Sequence, residues 1–196
     1  SQEDWQRLIA VQDRLVVLNN IKGSYLVNGK EFPMVDPWIV KKGDRLRVRM
    51  INISPIEIHP MHFHGHFTKE IAKDGTDLRN QGEARVENTV LVAPGQTIDV
   101  EVKMNAPGRG AWIFHCHVLS HVMGPDGKSL NIALANGGMV IPVVYEDSLN
   151  FGDIVKALQD AIAGIQGKTQ AAPSGSPLDG AVHDMNTSLS GTAATP

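Results

Sequence analysis

The chain has 196 residues, 42% of them apolar, and a formal net charge of −3. That length suits one domain with an appendage. It contains no Lys/Arg block to meet nucleic acid, no apolar run of 18 residues to cross a membrane, and one cysteine, which excludes an internal disulfide. Nineteen glycines and eleven prolines against few aromatic residues predict many turns, the mark of an all-β chain.

In chain order, Ser1-Gln-Glu-Asp does not read as a signal peptide, and residues 1–12 read as a linker or short helical lead. Strand-like sequence begins at about residue 13. Arg14–Leu18 and Tyr25–Val27 flank Gly23, and Asn28-Gly29 signals a turn. Pro33 and Pro37 mark an irregular crossing, and Trp38–Val40 leads into the turn at Lys42-Gly43-Asp44. Leu46, Val48 and Met50 then alternate with Arg45, Arg47 and Arg49, so the arginines form the wet face of a half-buried strand. Val90–Val92 precedes the turn Ala93-Pro94-Gly95, and Ile98, Val100 and Val102 alternate with Asp99, Glu101 and Lys103. Pro107-Gly108 breaks the chain before Ala111–Phe114, and residues 139–145 close the strand series. Roughly eight short strands at near-regular spacing predict a Greek-key β-sandwich over 13–149. Ile154, Val155, Leu158, Ile162 and Ile165 share one face of an amphipathic helix over 150–166. The Gly-, Ala-, Ser-, Thr- and Pro-rich remainder, 167–196, is a low-complexity tail with too little apolar surface to fold alone.

The chemistry is concentrated in two places. Seven of the eight histidines and the cysteine lie in His59-Pro-Met-His62-Phe-His64-Gly-His66 and His115-Cys116-His117-Val-Leu-Ser-His121. Imidazole nitrogen and thiolate sulfur are ligands that copper prefers. In a strand successive side chains alternate between faces, so Cys116 points one way and His115 and His117 the other. His62 and His64 likewise share a face, and His59, three residues before His62, faces the opposite side. Pairing the clusters gives two sets. His59, Cys116 and His121 make a His₂Cys group, the signature of a blue-copper electron-transfer site. His62, His64, His115 and His117 make an all-imidazole group, and the backbone of Cys116 joins the two.

These motifs resemble those of the multicopper oxidases, specifically their C-terminal cupredoxin domain. The likeness covers residues 13–145 and extends to Val27-Asn-Gly-Lys-Glu-Phe-Pro33, Lys42-Gly-Asp-Arg45 and Asn88-Thr-Val-Leu-Val-Ala-Pro-Gly95. It implies a type 1 copper at His59, Cys116 and His121. It also implies type 2 and type 3 copper ligation by the other four, with His62 on type 2 and His64, His115 and His117 on the type 3 pair. Relatives carry a Gly-Met soon after the last histidine, whose Met is a weak axial ligand. Here that pair arrives late, as Gly138-Met139, so 124–137 reads as an inserted loop and Met139 as the axial ligand, with Met123 or no sulfur ligand as the alternatives. Val122 stands where some relatives carry an acid.

The resemblance further implies a laccase-like oxidase that draws electrons from a small-molecule or metal-ion reductant and reduces dioxygen to water, in the periplasm or outside the cell. A full trinuclear centre in this family takes eight imidazoles. The motifs supply four, so another cupredoxin domain or subunit is expected to complete the centre. A lone blue-copper electron carrier would use the His₂Cys set and leave four histidines without a task. A copper nitrite reductase-like domain normally lacks histidines on both sides of its cysteine. His66 reads as structural, His183 as a solvated tail residue, Trp112 and Phe114 as core, and Glu57 as an exposed carboxylate, or alternatively a group at the edge of the type 1 site.

Overall fold

The computed structural model describes residues 11–80, 82, 85–106, 110–123 and 138–147, with Lys156 and Asp160. Its strands are β1 (Val11–Ile21), β2 (Ser24–Val27), β3 (Trp38–Val40), β4 (Arg45–Asn52), β5 (His59–Phe63) and β6 (Thr68–Lys73), then β7 (Thr76–Asp77), β8 (Val86–Glu87), β9 (Thr89–Val92), β10 (Thr97–Lys103), β11 (Ala111–Cys116) and β12 (Val140–Tyr145). One short 3-10 turn, Leu119–Val122, follows β11.

The strands form two sheets. One runs β2-β1-β4-β10-β6-β7 with β8 also on β6; the other runs β3-β12-β11-β5-β9. β1 lies parallel to β4 and β12 parallel to β3, and the remaining pairs are antiparallel. This is the all-β sandwich expected from the spacing of turns. The alternation read in β4 and β10 is observed: Leu46, Val48 and Met50 pair with Val102, Val100 and Ile98, all buried. On the opposite face, the wet face that the alternation predicts, Arg47 bonds Asp13 and Arg49 bonds Asp99.

The buried row of the first sheet packs on Met61, Phe63, Val90, Val92, Phe114, Ile141 and Val143 of the second. Each such side chain, fully buried, contributes about 1.5–3 kcal/mol. Trp38, Phe63 and Phe114 form an aromatic cluster at its centre, with Phe63 and Phe114 stacked at 5.0 Å.

Two differences stand out. β1 starts at Val11, inside the segment read as linker, because β4 offers Arg45 as a parallel partner there. The mostly polar 65–88 stretch holds three further strands, β6 to β8, that pair through backbone bonds rather than through an apolar pattern. Lys156 and Asp160 are helical and form an i,i+4 ion pair. The rest of the predicted helix, residues 1–10, the 124–137 insertion, Pro107-Gly108, the 167–196 tail and His183 lie outside the described residues.

Candidate metal centres

β5 and β11 are neighbours, with Cys116 opposite Met61, Phe114 opposite Phe63 and His115 opposite His62. The alternation therefore sorts the motif residues by face. Cys116 and His59 point into the sandwich, whereas His115 and His62 point out of it. Beyond Cys116 the chain turns at Val118, whose carbonyl accepts the His121 N–H at 2.9 Å, and this turn swings His121 back towards the sulfur.

The Nδ1 atoms of His121 and His59 lie 3.4 and 3.8 Å from Cys116 Sγ, and the three donor atoms fall within 4.8 Å of one another. Cys116 and His59 are fully buried and His121 nearly so. Burial pushes the Cys116 thiol up to about 12 and, with the nearby His121, holds His59 down to about 4. Burial also lowers His121, and Glu57 partly opposes that. At neutral pH the cluster is thus two uncharged imidazoles beside a protonated thiol. Among the described residues His59 Nε2 has no hydrogen-bond partner, so Nδ1 carries the ring's polar contact. A compact N₂S set whose sulfur ionises only if a cation arrives fits copper well.

Met139 is fully buried beside this set. Its N–H donates to the His121 carbonyl at 2.9 Å and its carbonyl accepts the Cys116 N–H at 3.1 Å. Met123 is part-exposed at the end of the 3-10 turn.

The other four histidines meet on the outer face of the same sheet. The ring centroid of His62 is 4.9 Å from that of His64, 5.7 Å from His115 and 5.3 Å from His117. His64 and His115 bring their Nε2 atoms to 2.9 Å. Their other nitrogens explain the orientation. His115 Nδ1–H donates to the Cys116 carbonyl at 2.8 Å, so Nε2 carries the lone pair that faces His64 Nε2. The Thr89 hydroxyl donates to Asn88, so its oxygen accepts His62 Nδ1–H at 2.8 Å, again freeing Nε2. Burial, reinforced by neighbouring imidazoles, holds His64 at about 3; burial lowers His115 to about 4, and His62 also lies below its usual value. His64 and His115 are buried, His62 is half-buried and His117 exposed, so the group opens to one side.

The sequence motifs thus come together as the two sets expected from strand alternation. His66 takes the structural place predicted for it. Its Nδ1–H donates to the His64 carbonyl at 2.7 Å, and its Nε2 accepts the Tyr145 hydroxyl at 2.6 Å. Tyr145 in turn accepts the Ala106 N–H. The turn between the two histidines depends on Gly65, at φ +68, where a Cβ would meet the Trp112 ring at 2.6 Å.

Glu57 departs from the exposed carboxylate first read from the sequence. Its Oε2 lies 3.7 Å from His121 Nε2 and its side chain is one-third exposed. The cause is a polar clamp. Buried Asn52 donates to the carbonyls of Glu57 and Val92 at 2.8 and 3.0 Å, its Oδ1 accepts the Ser54 N–H, and the Ser54 hydroxyl accepts the Glu57 N–H. Asn52, Ser54, Thr89, Tyr25 and Tyr145 are the site-supporting residues that sequence reasoning passed over. Asn52 carried a signal: it continues the inward row of Leu46, Val48 and Met50, where a polar side chain needs internal partners.

The sequence profile of the family described as "Multicopper oxidase" matches residues 8–124. Copper resistance protein A of Escherichia coli is 32% identical over 101 residues, which is 52% of this chain and 15% of that protein. Multicopper oxidase MmcO of Mycobacterium tuberculosis is 31% identical over 113 residues, 58% of this chain and 21% of that protein. The crystal structure of the Blue Copper Oxidase from Nitrosomonas europaea superposes with a TM-score of 0.60 at 30% identity, covering 72% of this chain and 46% of that one. The chain therefore spans only a fraction of the curated relatives and less than half of this structural one.

Proposed function

This chain belongs to the multicopper oxidase family, whose cofactor is copper, and from that premise we propose that it is the type 1 copper-bearing domain of a laccase-like oxidase. His59, Cys116 and His121 would hold the type 1 ion, with Met139 as a further ligand. His62, His64, His115 and His117 provide half of a type 2/type 3 centre. Bound copper would supply one-electron redox chemistry: oxidation of a reductant one electron at a time at the first set and, with four electrons and four protons, reduction of one dioxygen to two waters at the second.

The protein's part is to hold and connect. The observation that carries the reading is the position of Cys116. Its sulfur sits among the inward histidines, while its own carbonyl accepts the ring N–H of outward-facing His115 at 2.8 Å. A short covalent path capped by one hydrogen bond therefore spans the sheet, the link an electron needs between mononuclear and polynuclear sites. Thr89 and the Cys116 carbonyl fix the tautomers of His62 and His115 so that both present Nε2, the outer-layer control that metal sites require. Glu57, clamped at the His121 edge, would meet a cationic group of the reductant. Burial of the His₂Cys set excludes water from the thiolate.

Four imidazoles are half of the family's trinuclear complement, and the one-sided opening of the group supports completion by a second cupredoxin domain or subunit. The family resemblance also supports a periplasmic or extracellular location. No helix among the described residues is long and apolar enough to cross a membrane.

Native mass spectrometry with copper analysis and absorption spectra tests the reading on wild type and Cys116→Ser. We expect a blue wild-type protein, a colourless variant, and more than one tightly held copper per chain only where a complementary domain or subunit is present. Four coppers and complete oxygen reduction in a verified monomer overturn the half-site. A blue band that survives in Cys116→Ser overturns the type 1 assignment.

A further inference from the structure

The two inward imidazoles are not held alike. His59 opens β5, where strand pairing sets it opposite Val92 of β9, and it is fully buried. His121 lies in a four-residue 3-10 turn whose N-cap, Val118, makes no side-chain capping bond. The last torsion of a histidine side chain is broad, so the backbone of such a turn leaves the plane of the ring undetermined. Something else must set it.

That role falls to Tyr25 of β2. Its ring lies over the imidazole of His121 with centroids 4.0 Å apart and planes 21° from parallel, while His59 meets the same imidazole edge-on at 5.0 Å. Tyr25 is itself fixed by strand pairing, opposite Asn20 on β1. A second, independent feature tightens the arrangement. At Gly138 a Cβ would stand 2.4 Å from the His121 carbonyl oxygen and 2.9 Å from that of Tyr25. Only a residue without a side chain lets the turn, β2 and the approach to β12 close on one another. Gly138 also accepts the Phe32 N–H, and the next residue, Met139, donates to the His121 carbonyl. Backbone and ring of His121 are thus gripped from the same side.

We propose that Tyr25 is a positioning residue of the mononuclear site, holding the imidazole plane of His121 by stacking so that its Nδ1 stays directed at the sulfur. The inference rests on the type 1 reading above. A copper site that cycles between two charge states exchanges electrons fastest when its ligands do not reorient, and a stacked ring resists reorientation without supplying a donor atom. The contact is made by the ring face, so the phenolic hydroxyl is dispensable and phenylalanine serves in its place.

The test compares wild type, Tyr25→Phe and Tyr25→Leu. In metal-free protein, proton NMR of the His121 ring reads the stack directly. Wild type and Y25F carry the upfield ring-current shift and Y25L loses it. In the copper-loaded protein, electron paramagnetic resonance of wild type and Y25F gives one type 1 species. Y25L gives more than one, with a reduction potential displaced beyond the spread of the other two. Tyr25 is part-exposed, so the leucine removes little core; should it not fold, Tyr25→Met supplies the same loss of ring. A leucine or methionine variant with the wild-type ring shift, or with a single wild-type signal and an unchanged potential, overturns the proposal. A wild-type chain that binds copper without a type 1 signal overturns the site assignment itself, and this inference with it.

Discussion

Gly65→Ala isolates what the turn between His64 and His66 contributes. The added methyl meets two obstacles. At φ +68 an L-residue pays about 1–2 kcal/mol for left-handed backbone. The new Cβ also lies 2.6, 2.7 and 3.0 Å from Trp112 Cζ3, Cε3 and Cη2, the body of a fused ring rather than a flexible tip. Overpacking of that kind costs about 1–3 kcal/mol, so the total is about 2–5 kcal/mol. At roughly 2–4 °C per kcal/mol for a chain this long, Tm falls by about 4–20 °C. Gly29→Ala is the control, because φ there is +77 and nothing lies within 4 Å, so only the backbone cost of about 1–2 kcal/mol applies. The damage is also directional. Relieving the clash moves either Trp112 or the turn, and a displaced turn breaks the His66 bond to the His64 carbonyl. Thermal and denaturant unfolding measure the stability difference. Copper analysis beside the blue absorption, made with the complementary domain or subunit present, measures the rest, with metal lost from the four-histidine group while the colour persists. If the two alanine variants lose the same stability and keep the same copper, the close approach of Trp112 has no energetic consequence and the reasoning fails.

Two further outcomes follow from the metal site. Burial keeps the Cys116 thiol protonated up to about 12 and His59 neutral down to about 4, so between these values one proton, that of the thiol, must leave as the metal enters. Apparent affinity for Cu(I), in competition with a chelator of known affinity, therefore rises about tenfold per pH unit from pH 6 to 8, with one proton released per site by pH-stat titration; a flat profile would mean that the thiolate is not a ligand. Met139→Leu raises the reduction potential of the blue centre and Met123→Leu leaves it unchanged, measured by redox titration of the absorption band, whereas the reverse pattern transfers the axial role to Met123.

Much of the site was legible because strand alternation is a one-dimensional rule. Once residues 115–117 are extended, Cys116 must oppose its neighbours, and the same rule divides His59 from His62 and His64. The parallel and antiparallel partners of each strand were not legible, since pairing depends on which backbones approach in space, and β6 to β8 form without an apolar pattern. Of the two positions that the sequence leaves open for Glu57, the structure takes the one at the His121 edge. Its sequence neighbours Ile56 and Ile58 are exposed, and nothing local reveals that Asn52 and Ser54 bind both of its peptide groups.

By itself the sequence determined the donor types, their sorting onto two faces of one sheet, and hence the copper chemistry, because those follow from residue identity and a period of two. Tertiary structure alone decided that Tyr25 lies over His121, that Tyr145 reaches His66 across 79 positions, and that Met139 rather than Met123 is bonded to both ends of the Cys116–His121 segment. These contacts join strands far apart in the chain, and no local periodicity encodes a distance that only packing two sheets together creates.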